Sequence, residues 1–504
     1  MKTQTKNTVI LVQPQMGFLG EFVKHIPLSL LYVASGLIKN NFEVKILDCR
    51  VNHKNWEKNL KNLLTDNVIF VGVTVMSGAP VAYGIEISKL VKSKSNIPVV
   101  WGGPHPTVIP RQALNEDYVD FTVSGSGVQA SLELARNLAG VKSDKKIDDI
   151  IGLGYKRNGE IHLNPTFKGF EHVHYSDIPY WLIENSDLYG QIGSNERIFP
   201  IYSAYGCPYN CSFCVSPFLY KDFKKRWFTL EVKEVADHIE YLYKKYKATQ
   251  IYFYDDDSFV SLDHVSNIIK EVKKRNFKIK MSFRGARVNE LLKMDEEYLK
   301  ELAEAGTEQL HIGMESGSQR VLDLFNKGIK VEDIVEANKK ISKSKSIIAA
   351  YNWIVGTPTE TEEDLAESRK LIMRLINDNP RCIIFRPNKF HPYLGTEMAK
   401  LADEHGYRQP SRLEDWKYEE AEGSNAQPWY SKDIEQMIKM LQIVTYFIDN
   451  KPAVILKSNS LKNTAIKLIS FFYKPLARFR FKNGFTKFLV EYSMYQFFVS
   501  KYRK

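Results

Sequence analysis

The 504-residue sequence predicts an α/β protein with a doubly wound parallel sheet, then a barrel or partial barrel, then a mostly helical C-terminal region. Three observations carry that expectation. Short β-branched runs alternate with segments of helical spacing from Val9 to about Ala139. A second series of the same kind runs from Ile198 to about Ala402. After residue 405 the alternation stops and positive charge accumulates. Parallel strands need a crossover, usually a helix, so strand–helix alternation implies parallel sheets. Domain boundaries are expected at 1–140, 141–195, 196–405 and 406–504.

In the first series, Val9–Val12 reads as a strand and Pro27–Ile38 as a helix with Leu30, Leu31, Ala34 and Leu37 on one face. Phe42–Leu47 follows as a strand and Lys58–Leu64 as a helix. Val68–Val75 is continuously apolar, as expected of a strand covered on both faces. A helix over Ala82–Lys92 leads to the strand Pro98–Trp101, then Phe121–Val123 precedes a last helix near Gln129–Leu138. Ligands of such sheets bind at the carboxyl ends of the strands. Those ends hold Thr74 and Ser77, Gly102, Gly103 and His105, and Gly125 and Gly127. Ordinary βα turns favour the same residue types, so both readings stand at this point.

Residues 141–195 are charged and turn-rich, and read as a linker with one hairpin, Gly152–Lys156 and Ile161–Asn164. Six strands are expected in the second series: Phe199–Ala204, Gln250–Tyr254, Lys278–Phe283, Gln309–Gly313, Ile347–Val355 and Cys382–Phe385. Helical segments such as Leu230–Tyr246 separate them. Chemistry in such barrels sits at the C-terminal strand ends.

Composition is ordinary for a globular protein, with 44% hydrophobic and 26% charged residues, which excludes a disordered chain. Five cysteines exclude a disulfide scaffold. The apolar run Thr8–Val12 is too short for a signal core, so a reducing cytoplasm is expected. The net charge of +11 is concentrated: residues 453–504 hold 11 Lys or Arg against one acid, Glu491. The body is therefore near neutral, and nucleic acid is not the expected partner.

The strongest chemical signal is Cys207, Cys211 and Cys214, spaced C-x3-C-x2-C directly after the first strand of the second series. A closed zinc site wants four ligands, and neither the remote Cys49 and Cys382 nor a histidine falls in this loop. Three thiolates suit an iron–sulfur cluster with one iron left open. Zinc completed by a distant histidine is the alternative.

This loop resembles that of the radical S-adenosylmethionine (SAM) enzymes, which follows the first strand of a partial (β/α)6 TIM barrel. The resemblance implies that Cys207, Cys211 and Cys214 hold a [4Fe–4S] cluster whose open iron chelates the methionine end of SAM. Reductive cleavage then yields a 5′-deoxyadenosyl radical. Phe213 matches the aromatic position near the adenine. Asp256 and Asp257, in the acidic run at the second strand end, match the place where the SAM amino group is met. Arg287 ends the third strand, where it is expected to bind cofactor by pairing with a carboxylate or else to be a surface arginine; Glu315 and Ser316 match the ribose and methionine contacts, and Gly356 lies where backbone reaches the adenine.

The first module is similar to the Rossmann-like cobalamin-binding domain that precedes many such barrels. Thr74, Ser77, Gly102, Gly103, His105, Gly125 and Gly127 lie in its matching segments. Ser126 and Val128 stand where the family usually has acids. The histidine signature of the first turn is missing from Pro14–Gly20, so cobalamin is expected without a histidine ligand from that turn.

The resemblance implies a cobalamin-dependent radical SAM methyltransferase acting on an unactivated carbon of a small or lipid-like molecule. An external donor such as flavodoxin or ferredoxin supplies the electron. A radical oxidative cyclase or ring-rearranging enzyme is the alternative enzyme, and a cobalamin- or cluster-binding sensor the non-enzyme alternative. The tail interleaves aromatic residues with Lys474, Arg478, Arg480, Lys482 and Lys487. That pattern fits a packed helical cap, a peripheral contact with the inner membrane face, or, less well, a nucleic acid.

Overall fold

Seven strands form the sheet of the N-terminal module: β1 (Thr8–Gln13), β2 (Glu43–Asp48), β3 (Val68–Thr74), β4 (Val99–Gly102), β5 (Phe121–Val123), β6 (Leu153–Arg157) and β7 (Glu160–Leu163). The computed structural model describes residues 7–16, 23–51, 53–183, 185–191, 196–283, 285–418, 427–452, 456 and 461–495. The turn residues 17–20, Arg284 and the tail beyond 495 therefore lie outside the described residues. Contacts divide the chain into two compact units.

The first unit holds the described residues of 1–200, 222–225 and 409–423. Its strand order is β2-β1-β3-β4-β5-β6-β7, parallel up to β5 and antiparallel from there on. Side chains alternate across the sheet as the pleat requires. Val9 and Leu11 of β1 enter one apolar cluster with Phe70 and Val100, and Ile10 and Val12 enter the other with Val71 and Trp101. Helices α1 (Leu28–Lys39) and α6 (Val128–Leu138) cover the first face; α2 (Trp56–Leu63) and α3 (Ala79–Lys94) cover the second, and the short α4 (Pro104–Val108) and α5 (Pro110–Leu114) follow β4. Both faces being covered explains the unbroken apolar run of β3. The parallel order 2-1-3-4-5 puts the topological switch between β1 and β3, where open sheets of this kind take ligands.

The hairpin expected within the linker exists, but it belongs to the sheet. β6 pairs with β5, with Phe121 opposite Tyr155. Its two-residue turn is Asn158–Gly159, both at positive φ (53° and 81°), as a type I′ turn demands. The pairing covers β5, which otherwise would be an edge.

The second unit holds the described residues of 201–221, 226–408 and 424–504. Strand β8 (Ile198–Ile201) leads into it. Parallel strands follow as β11 (Gln250–Phe253), β12 (Lys280–Ser282), β13 (Ala286–Arg287), β14 (Gln309–Glu315), β15 (Ile348–Val355) and β16 (Ile383–Ile384). An antiparallel pair, β9 (Ala204–Gly206) with β10 (Trp227–Thr229), brackets the cysteine loop. The strands lie in two sheets, β8-β11-β12 and β13-β14-β15-β16, and follow the chain order of the expected partial barrel. Its outer layer includes α7 (Val232–Tyr246), α8 (Leu262–Lys273), α9 (Gln319–Leu324), α10 (Val331–Ser342) and α11 (Glu362–Asp378). The C-terminal region adds α12 (Lys432–Val444) and α13 (Leu461–Asn483). Among the described residues no helix is long and apolar enough to cross a membrane.

Candidate functional site

The cysteine loop leaves β9 at Gly206 and is fastened at three points. Ser212 donates its N–H to Phe325 O (3.0 Å) and its hydroxyl to Leu324 O (2.6 Å), and its carbonyl accepts from Met398 N (3.1 Å). Asn210 is held by Arg226, whose Nη1 donates to Oδ1 at 2.7 Å, and by Asn326, whose Nδ2 donates to the carbonyl at 2.9 Å. Cys214 N closes a turn onto Cys211 O at 3.1 Å. Backbone and side-chain hydrogen bonds together hold the loop.

Burial pushes the Cys207 thiol up to about 12 and raises that of Cys214. Such thiols stay protonated until a metal takes the proton's place, since the thiolate is the ligand form. Arg287 supplies the local positive charge. Its Nη1 donates to Cys211 Sγ at 3.0 Å, its Nη2 donates to Lys327 O at 2.5 Å, and its guanidinium lies 3.9 Å from the Tyr209 ring centroid. Among the described residues no three His, Cys, Asp or Glu side chains are grouped as ligands of one ion. A cube differs from a single ion, because each thiolate takes its own iron. The donor set of three thiols on one loop fits that demand.

The acidic run after β11 divides its labour. Asp255, buried, accepts from Ser203 N (2.7 Å), Ser203 Oγ (2.6 Å) and Ala204 N (3.0 Å), which ties the second strand end to the first. Asp257, also buried, accepts from Phe259 N at 3.1 Å, and burial together with the Glu290 carboxyl pushes its own carboxyl well up. Asp256 is exposed and accepts from Tyr220 Oη at 3.0 Å.

Phe213 packs edge-on against Phe325, with ring centroids 5.0 Å apart. Glu315 ends β14 at φ 66° and accepts from Lys327 Nζ at 2.8 Å. Gly313 makes room for that pair: a Cβ there would meet Glu315 Oε1 at 2.2 Å. Ser316 is buried and hydrogen-bonds to Ser318 N (3.2 Å), with Ser368 Oγ at 3.3 Å. At Gly356 the N–H donates to Glu360 Oε2 (2.5 Å) and the carbonyl accepts from Trp429 Nε1 (3.1 Å). Tyr430 Oη occupies the place a Cβ of Gly356 would take, only 2.1 Å away.

In the first unit Thr74 ends β3, Gly102 ends β4, and Gly125 and Gly127 flank the start of α6. Gly102 O accepts from Val75 N at 2.8 Å, which joins the two neighbouring strand ends. Ser77 Oγ and His105 Nδ1 lie 3.1 Å apart. His105 is fully buried, at 4.9 Å from the Trp416 ring, so it sits beneath this surface and not on its rim. The helix start at Val128 is already met by a carboxylate: Glu171 accepts from Val128 N (3.0 Å) and Gln129 N (3.3 Å), and from Ser126 Oγ. An acid from outside the matching segment thus stands near the missing family acids.

Sequence reasoning missed Arg226, Lys327, Glu171, Trp416 and Tyr430. Arg226 lies 16 residues from Asn210 and Lys327 12 from Glu315, while Glu171 and Trp416 meet partners 42 and 304 residues away, and no local spacing pattern encodes these pairings.

The chain carries a radical SAM domain and a B12 binding domain, and these imply a [4Fe–4S] cluster, SAM and cobalamin as its cofactors. Residues 201–372 match the radical SAM superfamily and residues 23–135 the B12 binding domain. Among curated relatives, an uncharacterized methyltransferase of Pyrococcus horikoshii is 28% identical over 75% of this chain and 78% of its own. The anaerobic magnesium-protoporphyrin IX monomethyl ester cyclase of Rubrivivax gelatinosus is 27% identical over 68% of this chain and 61% of its own. Among solved structures, the cobalamin-dependent SAM radical enzyme OxsB with aqua-cobalamin aligns over 95% of this chain and 72% of its own, at 18% identity and a TM-score of 0.70. The radical SAM methyltransferase TsrM of Kitasatospora setae, with cobalamin and a [4Fe–4S] cluster, aligns over 81% and 76%, at 21% identity and a TM-score of 0.62.

Proposed function

We propose that the chain methylates an unactivated carbon of a small or lipid-like molecule. The observation that carries this reading is the thiol loop with Arg287 on Cys211 Sγ at 3.0 Å, in a chain whose first module matches a B12 binding domain. Similarity to the Pyrococcus horikoshii methyltransferase supports the methyl-transfer outcome. In this reading 1–140 and 196–405 are the cofactor domains, 141–195 joins them although its hairpin pairs with β5, and 406–504 is an appended region of which the described residues of 409–423 pack with the first unit.

When bound, the cluster supplies one-electron cleavage of SAM and cobalamin supplies a methyl carrier. The chain's own part is to hold, orient and exclude water. Cys207, Cys211 and Cys214 each hold an iron. Asp256 offers the SAM ammonium an exposed carboxylate, and Phe213 gives the adenine an apolar edge. Glu315, paired with Lys327, and Ser316 border the ribose. Gly356 contributes shape more than hydrogen bonds, because its N–H and carbonyl are already engaged. Thr74, Ser77, Gly102, Gly103, Gly125 and Gly127 border the corrin, with His105 supporting Ser77 from below. Flavodoxin or ferredoxin is the electron donor, and the setting is cytoplasmic with a peripheral membrane contact.

The test is anaerobic loading of the full chain with iron, sulfide and cobalamin, followed by reduction with methyl-labelled SAM and cell extract. Expected are 5′-deoxyadenosine and label in an extractable product, both lost in Cys211→Ala. Deoxyadenosine without transferred label overturns methyl transfer; turnover unchanged in Cys211→Ala overturns the cluster assignment.

A further inference from the structure

Helix α13 is apolar on the side that faces out. Ser470, Ala477 and Phe481 are buried, and their spacing of seven and four marks one helical face. On the opposite side Leu461, Leu468, Phe472 and Phe479 are 92%, 54%, 75% and 56% exposed. At 100° per residue these four lie within about 40° of one another. Ile469 and Leu476, also exposed, widen the stripe. Soluble proteins rarely leave a contiguous apolar patch of this kind in water.

The helix cannot roll to hide the stripe. Arg369 Nη1 donates to Phe481 O (2.9 Å) and Lys482 O (3.0 Å). Arg480, buried, donates from Nη1 to Lys487 O (2.7 Å) and from Nη2 to Phe488 O (3.0 Å), and pairs with Glu491. Beside the stripe Lys482 is exposed, as is Lys487 past the helix, and α13 contains no acidic residue; Lys467, Lys474 and Arg478 are half-buried further round, where Lys474 donates to Asn450 Oδ1 (2.7 Å) and Arg478 to Asn377 Oδ1 (2.9 Å). Past the helix Phe488 and Val490 are exposed as well.

We infer that this face of α13 docks on an anionic lipid bilayer, lying in the headgroup plane. An apolar stripe with a cationic shoulder is the pattern that buries side chains at the acyl boundary while lysines reach anionic headgroups. Spanning the bilayer is excluded for α13 by its six Lys or Arg. A second copy is disfavoured, because two all-positive shoulders repel. Nucleic acid is disfavoured, because the outermost side chains include aliphatic ones that do not stack on bases. The inference rests on the peripheral membrane contact proposed above and is independent of the proposed reaction.

The experiment is co-sedimentation of the full chain with vesicles of phosphatidylcholine alone and with added phosphatidylglycerol. Binding is expected only with phosphatidylglycerol, weakening as salt rises. The triple variant L468S/F472S/F479S should bind about tenfold less while its melting curve is unchanged, since these side chains are exposed. Variant binding equal to the parent overturns the inference. So does absence of vesicle binding, whether the stripe then proves to hold a dimer in sedimentation velocity or the tail shifts RNA in a gel.

Discussion

Arg287 Nη1 donates to Cys211 Sγ at 3.0 Å while its Nη2 donates to the Lys327 carbonyl at 2.5 Å. One guanidinium therefore links the middle cysteine to the segment that clamps the loop. A cationic donor beside a thiolate stabilises the more negative, reduced form of any cluster held there. Arg287→Met removes both the charge and the hydrogen bond. The reduction potential of the loaded protein should fall, on the order of tens of millivolts for one electron. Redox titration followed by electron paramagnetic resonance checks it; an unchanged potential means the contact has no electronic role.

The pair Glu315–Lys327 is almost fully enclosed, with side-chain exposures of 10% and 5%. Breaking a buried pair by removing one partner strands the other charge, at about 3–5 kcal/mol. Lys327→Met should therefore lower the melting temperature clearly, and Glu315→Gln should do so less, since the amide can still accept from the ammonium. The double change Glu315→Met with Lys327→Met should recover much of the loss. Thermal melts of the three variants decide it. A double variant as unstable as Lys327→Met would show that Glu315 acts on more than its lysine.

The legibility of this protein in its sequence follows contact range. Strand positions were readable because apolar runs such as Val68–Val73 are those expected of strands covered on both faces. The cysteine loop was readable because its ligands lie within eight residues. The acidic run was readable only as a group. Nothing local distinguishes Asp255, which binds Ser203 and Ala204, from Asp256, which stays exposed. Glu171, Trp416 and Tyr430 reach their places from more than 40 residues away, so no spacing rule finds them. The hairpin Leu153–Leu163 was visible through Asn158–Gly159, but not its docking on β5, which depends on an edge existing there.

Glu360 Oε2 accepts from Gly356 N (2.5 Å) and Thr357 N (3.1 Å), while Oε1 makes no hydrogen bond among the described residues. Burial outweighs the two donors and raises its carboxyl from the ordinary 4.5 to about 7. An acid raised in the fold favours its protonated form there. Its contribution to stability is complete below pH 4.5 and is lost as pH rises towards 7, roughly 3 kcal/mol in all. Glu360→Gln fixes the neutral form and should remove that part of the pH dependence. Denaturant unfolding of parent and variant from pH 4.5 to 8 tests it; parallel curves would show that the carboxyl is ionised throughout.

His105 is enclosed beneath Trp416, with ring centroids 4.9 Å apart, and Trp416 is itself anchored by Nε1 donating to Gln112 Oε1 at 2.6 Å. Enclosure pushes the His105 imidazole down from 6.5 to about 4, and its Nε2 makes no hydrogen bond among the described residues. The unfolded chain takes up a proton below pH 6.5 that the folded one refuses until about 4, so stability falls as pH drops through that window. Trp416→Ala opens the ring to water. Two effects should appear together: a loss of about 3–5 kcal/mol from the emptied site, and a His105 titration moving up towards 6.5. Nuclear magnetic resonance of the imidazole protons in parent and variant separates them. A His105 midpoint that stays near 4 in Trp416→Ala would mean that the sheet end, and not the returning segment around residue 416, keeps water from this histidine.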